Sequence, residues 1–98
     1  MMNQYKLSRE AQRDLHDIAQ SSEETFGKAQ RLKYVQGLQD KAQQLAARPD
    51  IGRDRQDLMQ GLKSSQYVSH TLYYLVQEDS IAIVRILHKR MDAKAHLS

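Results

Sequence analysis

Two histidines and two arginines in the last third of the chain could together do acid–base chemistry on RNA. Cleavage of RNA needs a group that deprotonates a 2′-hydroxyl, cations that stabilise the developing phosphorane, and an acid for the leaving oxygen. His70, Arg85, Arg90 and His96 are residue types that supply these roles if the fold gathers them. The sequence favours another interpretation, in which these residues are not catalytic. Arg85 would interrupt a buried strand because it pairs with a carboxylate, and His88 and Arg90 would line a protein interface.

The rest of the chain offers no other reactive site. His16, with Asp17 beside it on the first predicted helix, is interpreted as a solvated surface residue. His70, His88 and His96 have spacings that fit no metal-binding motif. The chain has no cysteine, no Gly-rich phosphate loop and no Gly-x-Ser-x-Gly elbow. We therefore expect no metal, no cofactor and no catalytic residue.

An apolar stretch, Ile81–His88, is predicted to position the polar groups that follow it. Its β-branched residues fall on both faces of a period-2 pattern, which predicts a strand covered on both sides at the centre of a sheet. The apolar run stops at His88, and three polar residues come soon after it: Lys89, Arg90 and Asp92. A well-buried strand would hold these mainly cationic groups in a fixed position, which makes them candidates for function.

Length and composition limit the chain to one domain over residues 1–98. Lys and Arg total 15 against 12 Asp and Glu, and the net charge of +3 suits an acidic partner. The dense basic runs of a dedicated nucleic-acid-binding protein are missing. No segment resembles a signal peptide or is apolar over a membrane-spanning length. We expect a soluble cytoplasmic protein without specific nucleic-acid binding.

Two amphipathic helices are predicted in the first half of the chain. Ser8 offers an N-cap hydroxyl for the first helix, which runs to about Thr25, and Gly27 breaks it. The second helix ends where Pro49 disfavours a helical conformation for the residue before it. The apolar stripe of the second helix is Ala29, Leu32, Val35, Leu38, Ala42, Leu45 and Ala46. With so short a connection, the two helices must form an antiparallel hairpin to share one buried surface.

Strands are predicted on both sides of this hairpin. A short edge strand, Gln4–Leu7, precedes it, and an exposed connection, Arg48–Gln60, follows it. Three strands joined by short turns then form an antiparallel meander: Leu62–Val68, His70–Gln77 and Ser80–His88. The order predicts an α+β fold in which the helical hairpin packs on one face of a mainly antiparallel sheet.

The other sheet face has no predicted element to cover it. Tyr73 and Leu75 would lie there in an exposed apolar surface, and such a surface usually binds a partner. The tail, Ala93–Ser98, is short and is expected to fray.

Several stretches resemble the ParE family of bacterial toxins over nearly the whole chain. The most specific is Ile-Val-Arg-Ile-Leu-His-Lys-Arg-Met-Asp at residues 83–92. Other matching residues are Leu7, Ser8, Ala11, Asp14, Leu15, Ile18, Leu45, Pro49, Gly52, Arg53, Gly61, Leu62, Lys63, Ser64, His70, Tyr73 and Tyr74. The ParE/RelE superfamily has a helical hairpin on an antiparallel sheet, which agrees with the fold predicted above.

The resemblance implies a toxin of a type II toxin–antitoxin system that inhibits DNA gyrase and is neutralised by direct binding of a ParD-like antitoxin in a hetero-oligomer. The related RelE branch cleaves messenger RNA on the ribosome with arginines or lysines and a terminal tyrosine or histidine. Here His70 stands where that branch tends to carry an arginine, and His96 stands at the terminal position. A RelE-like ribosome-dependent RNase is therefore the alternative function.

Two sets of binding residues follow from these expectations. We expect gyrase to contact the cationic end of the apolar strand, called here the cationic rim: His88, Lys89, Arg90, Asp92 and Lys94. We expect an acidic, amphipathic antitoxin segment to cover an apolar surface on the helical hairpin and the sheet: Leu15, Ile18, Leu38, Tyr73 and Leu75. Residues 89–98 are expected to add little to the core.

Overall fold

A five-stranded sheet carries a helical hairpin on one face and a short C-terminal helix on the other. The computed structural model describes residues 4–97. The elements are β1 (Tyr5–Leu7), α1 (Arg9–Phe26), α2 (Lys28–Ala47), β2 (Arg53–Asp54), β3 (Leu62–Tyr67), β4 (His70–Val76), β5 (Ile81–His88) and α3 (Ala93–Leu97). The predicted α+β architecture, a helical hairpin on a mainly antiparallel sheet with an N-terminal strand, is confirmed.

The hairpin depends on two residues that the sequence identifies. Ser8 Oγ accepts a hydrogen bond from the Ala11 backbone N–H at 3.0 Å, which fixes the first turn of α1. Gly27 has a φ of 92°, a conformation that favours glycine, and its N–H donates to Glu23 O at 2.8 Å. This single residue ends α1 and lets α2 begin at Lys28. The two helices therefore turn back on each other within one residue.

A second glycine brings the end of β3 close to α2. A Cβ atom at Gly37 would lie 1.7 Å from the Tyr67 hydroxyl oxygen, so only glycine leaves room for that ring. Glycine costs the helix about 1 kcal/mol relative to alanine. The space at Gly37 lets the Tyr67 ring pack against Tyr34 of α2, with ring centroids 5.2 Å apart. The turn after β3 is thereby held near the tip of the hairpin.

The strands run in the order β1-β5-β4-β3-β2. β1 is parallel to β5, with Tyr5 opposite Ile81, and the other neighbours are antiparallel. β5 lies inside the sheet, but the prediction that it is the central strand is wrong, because the middle position belongs to β4. The reason is β2, a two-residue strand within the segment interpreted as an irregular connection, which adds a strand at the far edge.

The larger core lies between the hairpin and the sheet. Its buried residues are Ala11, Leu38, Ala42, Leu45, Ala46, Leu72, Tyr74, Ile81, Ile83 and Ile86. Each fully buried leucine or isoleucine contributes about 1.5–3 kcal/mol of transfer free energy. The alanines on the helices let the backbones approach the larger side chains of the sheet.

The opposite sheet face is covered, contrary to the sequence-based expectation. Leu97 of α3 and Leu58 of the connection before β3 pack with Tyr73, Leu62 and Leu87 in a second, smaller core. Leu97 is 8% exposed and Tyr73 is 6% exposed. The predictions that the tail frays and that Tyr73 is exposed are therefore wrong over the described residues, which exclude Ser98. A five-residue helix with one leucine is too short to give a recognisable apolar period.

A Leu97→Ala substitution tests whether α3 belongs to the folded domain. It should lower the free energy of unfolding by about 2 kcal/mol, because it removes buried methyl groups and leaves a cavity over Tyr73. Urea denaturation followed by circular dichroism measures this change. Lys94→Ala, at an exposed position of the same helix, should change the free energy by less than about 0.5 kcal/mol. Equal stability of the Leu97 variant and the wild type would mean that the tail frays after all.

Candidate functional site

An ion pair between Arg85 and Asp14 joins β5 to α1. Arg85 Nε donates to Asp14 Oδ2 at 2.8 Å, and Nη2 donates to Oδ1 at 3.0 Å, so the pair is bidentate. The two side chains are only 20% and 13% exposed. Donation of these hydrogen bonds to the Asp14 carboxylate raises the pKa of the Arg85 guanidinium above its ordinary value. Arg85 thus has the carboxylate partner that the sequence interpretation requires, and its charge is already compensated.

The same carboxylate satisfies the backbone at an irregularity in the sheet. The register between β4 and β5 shifts by one residue beside Arg85, and β1 pairs with β5 only as far as Ile83, so the next part of β5 has no described strand on that side. The Ile86 N–H donates to Asp14 Oδ2 at 2.9 Å. Ser8 Oγ, just before α1, donates to Val84 O at 2.8 Å. The residues at the beginning of α1 therefore take the place of a neighbouring strand along this part of β5.

A cleft of about 370 Å³ opens between the tip of the helical hairpin and the turn joining β3 to β4. We call it the tip cleft. Ile18, Phe26 and Val68 contribute apolar walls, and His70 and His88 contribute imidazoles. Further hydroxyl and amide groups line it, but none of the described residues that line it is acidic. Its chemistry suits an apolar group that lies next to a hydrogen-bond acceptor.

Tyr34 links His70 and the β3–β4 turn to α2. Its hydroxyl oxygen lies 2.8 Å from His70 Nδ1 and accepts a hydrogen bond from the Ser69 N–H at 3.2 Å. Burial lowers the pKa of His70 below its ordinary 6.5, and the neighbouring His88 lowers it further. The Tyr34 hydroxyl therefore joins the His70 ring and the β3–β4 turn to α2, whichever of the hydroxyl oxygen and Nδ1 carries the hydrogen.

His88 fixes the backbone where β5 ends. Its ring meets the His70 ring edge to face, with centroids 5.2 Å apart. His88 Nδ1 accepts a hydrogen bond from the Arg90 N–H at 3.1 Å. The Lys89 N–H donates to Ser69 O at 2.8 Å. The first residues of the cationic rim are therefore bonded to the residues that line the tip cleft.

The four residues considered for RNA cleavage are not brought together. His70 faces the hairpin, where it meets Tyr34, whereas His96 belongs to α3 on the opposite face of the sheet. Arg85 is paired with Asp14, and its Nη1 donates to the main-chain oxygen of His96 at 3.2 Å. His70 and His96 are therefore not placed to act as acid and base on opposite sides of one phosphate.

The cationic rim is exposed. The side chains of Lys89, Arg90 and Lys94 are accessible, and none of them forms an ion pair within residues 4–97. Asp92 has a structural partner, because its Oδ1 accepts a hydrogen bond from the Lys94 N–H at 3.1 Å at the start of α3. The rim thus presents three uncompensated cations on a hydrogen-bonded backbone.

The apolar residues predicted to bind an antitoxin divide into two groups. Leu38 is 2% exposed and belongs to the larger core, and Tyr73 belongs to the smaller one. The expectation that these two form a surface is wrong. Leu15, Ile18 and Leu75 are partly exposed and remain candidates.

Three apolar residues are strongly exposed although the sequence did not predict it. Phe26 and Leu32 are each 70% exposed, and Val68 is 61% exposed. Leu32 belongs to the predicted apolar stripe of α2, so the expectation that it is buried is wrong: the stripe continues past the residues that the sheet covers. No pattern in the sequence marks Phe26 or Val68 as exposed.

The described residues include no group of three or more His, Cys, Asp or Glu side chains placed to hold a metal ion. No helix within residues 4–97 has the length and apolar character needed to cross a membrane.

Comparisons with known proteins agree on one family. The family model described as the ParE toxin of the type II toxin–antitoxin system parDE matches residues 5–93. Toxin ParE1 of Caulobacter vibrioides is 36% identical over 96 residues, covering 98% of this chain and 99% of that protein. Toxin ParE1 of Mycobacterium tuberculosis strain H37Rv is 37% identical over 98 residues, covering 99% of this chain and all of that protein.

A solved structure has the same fold. It is described as the chromosomal ParDE TA system from P. aeruginosa, and its matching chain superposes with a TM-score of 0.73 at 23% sequence identity. The match covers 89% of this chain and 96% of that chain.

Replacing Asp14 by Asn tests the importance of the ion pair. The substitution keeps the shape and an acceptor for the Ile86 N–H but leaves Arg85 without a counter-charge, so the free energy of unfolding should fall by about 3 kcal/mol. Glu23→Gln is the matched control, because Glu23 pairs with Arg31 at 2.6 Å on the surface, and it should cost less than about 1 kcal/mol. Thermal and urea unfolding measure both. If the two variants lose equal amounts, the Arg85 pair has no special role.

Proposed function

Because the chain belongs to the ParE family of type II toxins, we propose that it inhibits DNA gyrase by binding and that a ParD-like antitoxin neutralises it by direct contact. Both partners would meet it in the bacterial cytoplasm. No chemical step at a substrate is required. The toxin would act as a shaped, charged surface that stabilises one state of its target.

The observation that carries this proposal is the cationic rim. Lys89, Arg90 and Lys94 are exposed and have no ion-pair partner within residues 4–97. The Lys89 N–H and the Arg90 N–H are bonded to Ser69 and His88, so little backbone entropy is lost when the rim binds. Fixed cations suit the acidic surface of a complex between gyrase and DNA.

The alternative, a ribosome-dependent RNase, gains no support from the geometry. An enzyme of that type needs an acid, a base and a free cation within reach of one phosphate. Here His70 and His96 belong to opposite faces of the sheet, and Arg85 is bound to Asp14. A binding mechanism requires none of these groups to meet.

The antitoxin proposal rests on exposed apolar area and on charge. Phe26, Leu32 and Val68 are more than half exposed, and an apolar surface of this kind is stabilised when a partner covers it. The chain's net charge of +3 favours an acidic segment and speeds its encounter with the toxin. We therefore expect an amphipathic, acidic segment of the antitoxin to dock at the tip of the hairpin.

Neutralising the rim should weaken gyrase inhibition without unfolding the toxin. We expect the triple variant Lys89→Ser, Arg90→Ser, Lys94→Ser to need at least about tenfold more protein for half-inhibition of DNA supercoiling by purified gyrase, since three charge contacts are lost. The matched control replaces three exposed cations of α2 and its end: Lys28, Lys33 and Arg48. That control should inhibit like the wild type.

Two results would contradict the proposal. Full inhibition by the folded rim variant would show that the rim is not the effector surface. Cleaved messenger RNA in a primer-extension assay, produced by the wild type without any effect on gyrase, would favour the RNase.

A further inference from the structure

Val68 has a backbone conformation that its residue type disfavours. Its φ is 51°, and it is the one non-glycine residue with a positive φ in the part of the chain that the structure describes. Tyr67 is opposite His70, so Val68 and Ser69 form a two-residue turn. Glycine is the usual residue at a first turn position with positive φ, and a β-branched residue there is strained. Such strain persists only where the surroundings enforce it.

Hydrogen bonds on three sides enforce this turn. Gln66 Nε2 donates to Val68 O at 2.9 Å. The Ser69 N–H donates to the Tyr34 hydroxyl at 3.2 Å, and Ser69 O accepts from the Lys89 N–H at 2.8 Å. The Val68 side chain is nevertheless 61% exposed at the edge of the tip cleft. It belongs to neither core, so folding does not explain why a valine stands there.

We propose that the tip cleft receives a large apolar side chain of the antitoxin, with an acidic residue beside it, and that Val68 determines the fit. This inference rests on the proposed function. The cleft volume of about 370 Å³ is at the low end of roughly 300–1,000 Å³ for ligand pockets, which suits one or two side chains. The apolar walls of Phe26, Val68 and Ile18 would bury such a group.

Charge complementarity identifies the neighbouring group as acidic. No described residue that lines the cleft carries a carboxylate. His88, whose Nδ1 accepts the Arg90 N–H, holds its hydrogen on Nε2 when neutral and can donate it. The backbone N–H groups of Lys89 and Arg90 donate hydrogen bonds to Ser69 and His88, which line the cleft. A carboxylate beside the inserted side chain would therefore lie near the His88 ring and the cations of the rim, and no residue that lines the cleft within residues 4–97 is acidic.

This placement also suggests how the antitoxin neutralises the toxin. The tip cleft and the cationic rim share His88, so an acidic segment that fills the cleft would reach Lys89 and Arg90. The rim would then be unable to contact gyrase. The antitoxin-binding and gyrase-binding surfaces adjoin here, whereas the sequence had favoured separate surfaces.

Two substitutions at Val68 separate the contact from the strain. Val68→Thr keeps the branched shape and the strained backbone but places a hydroxyl where a methyl group was. It should weaken binding about tenfold, since an unpaired hydroxyl would be buried.

Val68→Gly relieves the strain and removes the side chain. It should therefore raise the thermal unfolding midpoint by about 4 °C and bind the antitoxin at least about tenfold more weakly. Val76→Thr is the matched control, because Val76 is 48% exposed at the far end of β4.

Calorimetric titration with the protein encoded by the adjacent reading frame measures binding by the full chain and its variants. Weaker binding by both Val68 variants, with the Val76 control within about twofold of the wild type, supports the inference. Wild-type affinity of Val68→Thr overturns the inference but leaves the proposed function standing. A lower unfolding midpoint for Val68→Gly also overturns it, because the turn would then not be strained. If the wild-type chain does not bind, the proposed function fails and this inference fails with it.

Discussion

The bidentate pair between Arg85 and Asp14 connects the three layers of the molecule. It holds α1 against β5 where β1 ends, and Asp14 also accepts the N–H of Ile86, which lies beyond the last residue of β5 that pairs with β1. Arg85 reaches the opposite layer as well, through the main-chain oxygen of His96 in α3. An arginine that looks catalytic in the sequence is therefore structural. Removing the Asp14 carboxylate would leave the largely buried charge of Arg85 unpaired. The resulting loss in the free energy of unfolding would exceed what the pair itself contributes.

The candidate site lies at the tip of the helical hairpin. Phe26, at the end of α1, is 70% exposed there, and Leu32, near the beginning of α2, is exposed to the same extent. The tip with Phe26 extends past the core, and the β3–β4 turn, held by Tyr34, closes the other side of the cleft.

The sequence predicted the fold well because periodicity and caps are local signals. Ser8 and Gly27 have the roles expected of them, Ile81–His88 forms the predicted strand although not the central one, and the family assigned from resemblance is confirmed. The site was less predictable, because it depends on long-range contacts. Neither the burial of Tyr73 under α3 nor the conformation of Val68 has a signature in a short stretch of sequence.

Hydrogen exchange of the chain alone and with saturating antitoxin, followed by mass spectrometry, tests most directly where the toxin is neutralised. We expect slower exchange in peptides that cover residues 26–34 and 66–71, at the tip cleft, and in those covering residues 88–91 of the rim. Exchange in α3 should change little, because Leu97 is already buried. Protection confined to α3 and the second sheet face, with the tip cleft unchanged, would show that the antitoxin does not bind at the tip cleft.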